Sequence, residues 1–230
     1  ALEGYRAVLR LDRGNTQARY QLATLYLDLG RRADAEAEFK ATLDANPDLG
    51  AAWNSLGALA FVKGNLGEAD RLVRRGLELE KRFRFGAYNL ARIAEARGEG
   101  PQAEGLYRRE LEIYPDHGKA RFNLAQLLRE RGDHAGYLAE LRRALDASPD
   151  FSPAYFFLAR EELEQGRLDA AEDLARRGLA VDSGSPVAPL GHYVLADVFN
   201  RRGRVALAQS QVAAARRLEA TLRSRPEPVL

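Results

Sequence analysis

The sequence predicts an all-α solenoid of about thirteen helices, built from tandem helix–turn–helix units, and three observations predict it. Gly30, Gly64, Gly98, Gly132 and Gly166 recur every 34 residues, and Gly203 follows after 37. Leu22, Leu56, Leu90, Leu124 and Leu158 keep the same step, each followed by a small residue: Ala23, Gly57, Ala91, Ala125 and Ala159. Pro47, Pro115 and Pro149 form a third column, with Lys81 and Ser183 in its gaps. A fixed period of this length marks an array in which each unit buries its apolar stripe on its neighbours.

Each cycle reads as two helices. Ahead of the glycine, apolar and small residues recur at i, i+3, i+4 and i+7, as in Trp53, Leu56, Gly57 and Ala60. The glycine ends that helix, where a left-handed residue is wanted and a side chain is a liability. Behind it a second amphipathic stretch runs through Ala69, Val73, Leu77 and Leu79, and the next Pro or its substitute closes it. Pro101 fits a first-turn proline. No stretch alternates with period two between hairpin turns, so no strand is expected. The spacing places full repeats at 16–49, 50–83, 84–117, 118–151, 152–185 and about 189–222. Residues 1–15 read as the second helix of a truncated repeat, and 223–230 as a C-terminal tail. On that reading Leu2, Tyr5, Leu9 and Leu11 lack part of their cover, which leaves self-association through this end open. The extra residues around Ser183–Val187 lengthen one loop.

These columns resemble the tetratricopeptide repeat, whose pattern is W-x2-L-G-x2-Y, then A-x3-F, then P. Trp53, Leu56, Gly57 and Ala69 carry the match in one cycle, Leu22, Ala23, Tyr26, Ala35, Phe39 and Pro47 in another, and Leu90, Ala91, Ala103, Tyr107 and Pro115 in a third. The resemblance covers nearly the whole chain and implies a right-handed superhelix of the kind found in bacterial arrays. Tyr137 and Glu110 depart from it, standing where small residues are usual, and put the local helix spacing in question. Ala1 begins the chain and Met is absent, which reads as a segment excised from a longer polypeptide.

Composition narrows the function. The 46% hydrophobic and 30% charged content is that of a folded protein. With no Cys, disulfides, thiol nucleophiles and Cys-ligated metals are excluded, and three scattered His (117, 134, 192) argue against a metal site. No cofactor is expected, and cytoplasm and periplasm fit equally. No apolar run approaches the roughly 18 residues of a membrane span. Net charge is +2, but residues 201–230 hold seven Arg and two Glu, leaving 28 basic against 31 acidic residues in 1–200. The basic end (Arg201, Arg202, Arg204, Arg216, Arg217, Arg223, Arg225) reads as the polar face of a terminal helix, and nucleic acid is disfavoured.

No nucleophile–base–acid order, HExxH or phosphate loop occurs, and pairs such as Glu161–Glu162 do not face a common point, so no enzyme is expected. The first helices of tetratricopeptide arrays line a concave groove. Counted from each repeat's first residue, position 5 reads Tyr20, Asn54, Tyr88, Phe122, Phe156 and Tyr193. Asn89 and Asn123 at position 6 are similar to the asparagine ladder that holds a peptide backbone in some family grooves. Arg92, Gln126 and Arg160 stand at position 9, and the arginines suit a carboxylate. Glu95, Glu130 and Glu164 share the face and compete for them. The family's carboxylate clamp is not reproduced, since Lys119 alone of its parts is present. The expectation is a protein–protein interaction scaffold holding a peptide or partner segment, centred on Tyr88, Phe122 and Phe156, with seam packing as the competing role of those rings. The alternative is a docking or regulatory arm of a larger bacterial enzyme, secretion or assembly protein, with RNA binding third.

Overall fold

A computed structural model of the chain describes residues 1–224. These hold thirteen α-helices and no strand, in two compact units, residues 1–113 and 114–224. Of the expected tail, 225–230 lie outside the described residues, and Arg225 with them. Among the described residues no helix is long and apolar enough to cross a membrane.

The first unit contains α1 (Leu2–Leu11), α2 (Thr16–Asp28), α3 (Arg32–Ala45), α4 (Gly50–Val62), α5 (Leu66–Leu79), α6 (Gly86–Ala96) and α7 (Gly100–Ile113). The second contains α8 (Gly118–Glu130), α9 (His134–Ala147), α10 (Ser152–Glu164), α11 (Leu168–Val181), α12 (Ala188–Arg201) and α13 (Val205–Arg223). Within each unit consecutive helices pair, α2 on α3, α4 on α5 and α6 on α7, then α8 on α9, α10 on α11 and α12 on α13. Inside a unit the second helix of a pair also packs on the first helix of the next, as α3 does on α4 and α11 on α12.

The glycine column makes the turns. Gly30, Gly64, Gly98, Gly132, Gly166 and Gly203 all have positive φ, from 70° to 81°. The residue after each glycine donates its N–H back five residues: Arg31 to the Tyr26 carbonyl at 2.8 Å, Asn65 to Ala60 at 3.0 Å, Asp133 to Leu128 at 2.9 Å. This is the bond that closes a Schellman turn, and a Cβ at the glycine would strain it. The Leu-plus-small column is buried in every repeat, from Leu22 and Ala23 (2% and 0% exposed) to Leu158 and Ala159 (4% and 0%). The small residue is needed: a Cβ on Gly57 would lie 2.5 Å from Val73 Cγ2.

No side chain of α1 is buried; Leu2, Tyr5 and Leu9 rest half-covered on the first unit's core, and Leu11 is 91% exposed. The lengthened connection runs over 182–187 between α11 and α12.

Both departures from the repeat pattern are accommodated by burial. Tyr137 is fully enclosed, and that burial, with the Glu161 carboxylate beside it, pushes its phenol above the usual tyrosine range. Glu110 solves a backbone problem. Lys81 stands in the proline column, and the chain enters α6 through Phe85 at φ 72°, the one described non-glycine residue with positive φ. Glu110, 1% exposed on α7, accepts from the Phe85 N–H at 2.8 Å and the Tyr88 N–H at 3.2 Å. A carboxylate at a helix N-terminus also faces the favourable end of its dipole. Glu110→Ala takes the acceptor from one buried and one part-buried donor and should cost about 2–3 kcal/mol in urea unfolding. Glu112→Ala, two residues on and exposed, should stay within about 0.5 kcal/mol.

Candidate functional site

The first helix of each pair presents one face away from its partner, and the residues there are not uniform. In the first unit Tyr20 is half-buried, its ring 5.4 Å from Phe39 and its hydroxyl 3.5 Å from Ser55 Oγ. Asn54 is buried, and Asn89 Nδ2 donates to its Oδ1 at 2.9 Å. The asparagine pair of this unit is therefore Asn54–Asn89, joining α4 to α6. Arg92 stacks its guanidinium over Phe61, 4.6 Å from the ring centre. Glu95, on the same helix, accepts from the Tyr107 hydroxyl.

In the second unit Phe122 is half-buried, 5.6 Å from Phe151 and 5.2 Å from Phe157, edge to face in both cases. The Phe157 ring lies under two guanidiniums, Arg160 at 5.2 Å and Arg129 at 5.9 Å. Such contacts are worth about 0.5–2 kcal/mol each. Arg160 Nη2 is 3.5 Å from Glu161, and its Nε is 3.6 Å from Glu164. Neither Arg160 Nε nor Gln126 Nε2 has a hydrogen-bond acceptor among the described residues, although both atoms are buried. Asn123 is half-buried on the same helix. Tyr193 is exposed, and its hydroxyl donates to Glu219 at 3.1 Å.

The expected aromatic strip requires correction. Phe156 is 0% exposed and Tyr88 8% exposed, so neither ring faces a partner. Tyr88 packs on Phe85 and Tyr107. Phe156 sinks between two glycines: a Cβ on Gly178 would lie 2.6 Å from its ring and one on Gly191 2.5 Å. At the equivalent places around Phe122 stand Ala144 and Ala154, both fully buried. Of the position-5 rings, Tyr20, Phe122 and Tyr193 keep exposed surface. Phe61, Arg129 and Phe157 belong to the faces and were not singled out from the sequence. Phe61 and Arg129 occupy position 12, the position at which Glu95 shares the face, while Phe157 is hidden in the run Tyr155–Phe156–Phe157, where composition does not tell inward from outward rings.

Stacked helix pairs with ring-and-guanidinium faces define a helical-repeat interaction scaffold. Tetratricopeptide repeat models match residues 1–60 in one form, and 88–150 and 158–212 in a second. The chain belongs to the tetratricopeptide repeat family, which is generally a non-catalytic scaffold for protein–protein interaction. No curated protein sequence matches it. Its fold is similar to that of pilF from Pseudomonas aeruginosa, with a TM-score of 0.76 and 14% identity over 93% of this chain and 98% of that one. It is also similar to PilW, a type IV pilus biogenesis factor, at 0.68 and 19% over 91% and 94%. A chain of the APC/C hetero-tetramer Cut9–Hcn1 matches at 0.75 and 13% over 94% of this chain, which spans 42% of that one. At these identities the likeness is one of fold alone.

The glycine rule is testable by unfolding. Phe156→Ala should cost about 3–5 kcal/mol. Phe122→Ala, removing a half-covered ring, should cost about 1–2 kcal/mol. Gly191→Ala should destabilise by itself, and Phe156→Leu in that background should recover part of the loss; equal costs for Phe122→Ala and Phe156→Ala would contradict the rule.

Proposed function

We propose that the protein holds an extended peptide segment of a partner on the first-helix face of residues 114–224. The observation that carries this reading is the Phe122–Phe157 pair under Arg129 and Arg160, with the Gln126 and Arg160 N–H groups beside it lacking acceptors. A buried donor without an acceptor costs about 1–3 kcal/mol, and a peptide carbonyl brought onto this face supplies one after a small side-chain rotation. Apolar side chains of the segment lie on the two rings, which provide contact area at low entropic cost. Arg160 turns toward Glu161 and Glu164, so a carbonyl is the better acceptor here than a carboxylate. In the first unit, Asn54, Asn89, Arg92, Phe61 and Tyr20 make a smaller face whose two amides are already bonded to each other.

A second reading is a docking arm within a larger assembly. The match to pilF and PilW over nearly their full lengths supports it, as the latter is named a pilus biogenesis factor.

Ten-residue peptides selected by phage display on the full chain test the first reading. Peptides that bind should lose about tenfold or more in affinity with Phe122→Ala or Arg160→Gln, each close to one interface contact of 1.4 kcal/mol. Circular dichroism should show both variants folded. Unchanged affinity in both would reject this face as the binding site.

A further inference from the structure

We propose a second recognition site on a different surface: an arginine-lined niche between α1, α2 and α3 that takes an acidic, leucine-bearing segment of a protein partner. The niche is a pocket of about 370 Å3 in the first unit. Its floor is apolar, made by Leu9, Leu22 and Tyr26. Four arginines surround that floor, Arg6, Arg10, Arg13 and Arg19, against a single carboxylate, Glu38. Arg6, Arg10 and Arg13 stand at i, i+4 and i+7, one face of α1 and the turn beyond it.

Two of these cations are already engaged. Arg6 donates to Glu3 and to the Tyr26 hydroxyl, both at 3.0 Å. Arg19 donates to Glu38 and to the Arg13 carbonyl, both at 2.9 Å. The guanidiniums of Arg10 and Arg13 are exposed and have no hydrogen bond or ion pair among the described residues. The lining thus carries three more positive charges than negative, with two forks open to receive carboxylates in bidentate geometry.

The shape recurs, and the chemistry does not. One repeat on, a pocket of about 230 Å3 is lined by Lys40, Leu43, Asp44, Trp53 and Leu56, which stand 34 residues after Arg6, Leu9, Arg10, Arg19 and Leu22. There Lys40 and Lys63 both bind Glu36, at 2.8 and 2.5 Å, and Asp44 replaces the free arginine. Packing of one repeat on the next therefore makes the hollow, while Asp44 and Pro47 stand where the first repeat has its open guanidiniums, Arg10 and Arg13. An apolar floor beneath open guanidiniums suits an aliphatic side chain flanked by carboxylates. A free phosphate leaves the floor uncovered, and a long polyanion meets a chain whose residues 1–200 are net negative.

The test uses the full chain and fluorescence anisotropy with a labelled peptide, Gly-Glu-Leu-Glu-Glu-Leu-Glu-Gly. Saturable binding is expected, weakened about tenfold or more by Arg10→Gln with Arg13→Gln, the loss of about one charge-assisted hydrogen bond. Lys40→Gln in the neighbouring niche and Phe122→Ala on the peptide face should leave it unchanged, so this site stands or falls apart from the other. Equal binding of the peptide with Gln in place of Glu, no effect of the double arginine variant, or equally tight binding of a ten-nucleotide oligothymidylate or of inorganic phosphate would each overturn the proposal.

Discussion

A helix of thirteen or fourteen residues paired with one other cannot cover its own apolar stripe, and everything else in this chain follows from how that stripe is covered. The turn between the two helices has to reverse the chain in a fixed geometry, or the Leu-plus-small column would miss its neighbour. Six left-handed glycines supply that geometry. The residue behind each one donates back into the last turn of the preceding helix, so one exposed position sets the register of two buried faces. Where the scheme lapses, at Lys81 and Phe85, the compensation comes from a buried carboxylate on another helix. The backbone donors of α6 are satisfied there by Glu110 in place of a proline-led entry.

This hierarchy explains what could be read from the residues. The period, the turns and the buried column were legible because each is imposed by backbone conformation and repeated at the same step. The fate of the position-5 rings was not. A column gives the height of a side chain along its helix, while burial is decided by what stands opposite. Phe156 and Phe122 are chemically identical and occupy the same column, yet one enters the core and the other does not. The difference is two methyl groups, on Ala144 and Ala154, against hydrogens on Gly178 and Gly191. Those glycines are present in the sequence, but their meaning appears only when helices 22 and 32–35 residues away are placed beside the ring. Tyr88 falls outside the rule, since Glu110 is its neighbour and holds the backbone beneath it.

Charge has a local side that the average does not show. Averaging residues 1–200 to a small negative value hides Arg6, Arg10, Arg13 and Arg19, which the fold gathers around one hollow. Screening confines exposed charges to a range of about 8–10 Å, so a partner meets the local cluster before it meets the average. The equivalent hollow one repeat on keeps leucines in its floor, Leu43 and Leu56, and has three carboxylates against two lysines around it. A repeat array conserves shape through its buried columns and leaves the exposed ones free to change sign from one unit to the next.

Two of the ring–guanidinium contacts carry that logic to the binding faces. Arg92 and Arg160 share position 9, yet Arg92 stacks on Phe61, from the preceding first helix, and Arg160 on Phe157 of its own. The same interaction is assembled from residues that do not align, because a long side chain can turn to whichever ring is nearest. Reading down columns finds what every repeat must keep. Recognition depends on contacts made between columns, and these are decided by side-chain reach, neighbouring methyls and unpaired donors, each of which has physical meaning only after the helices are stacked.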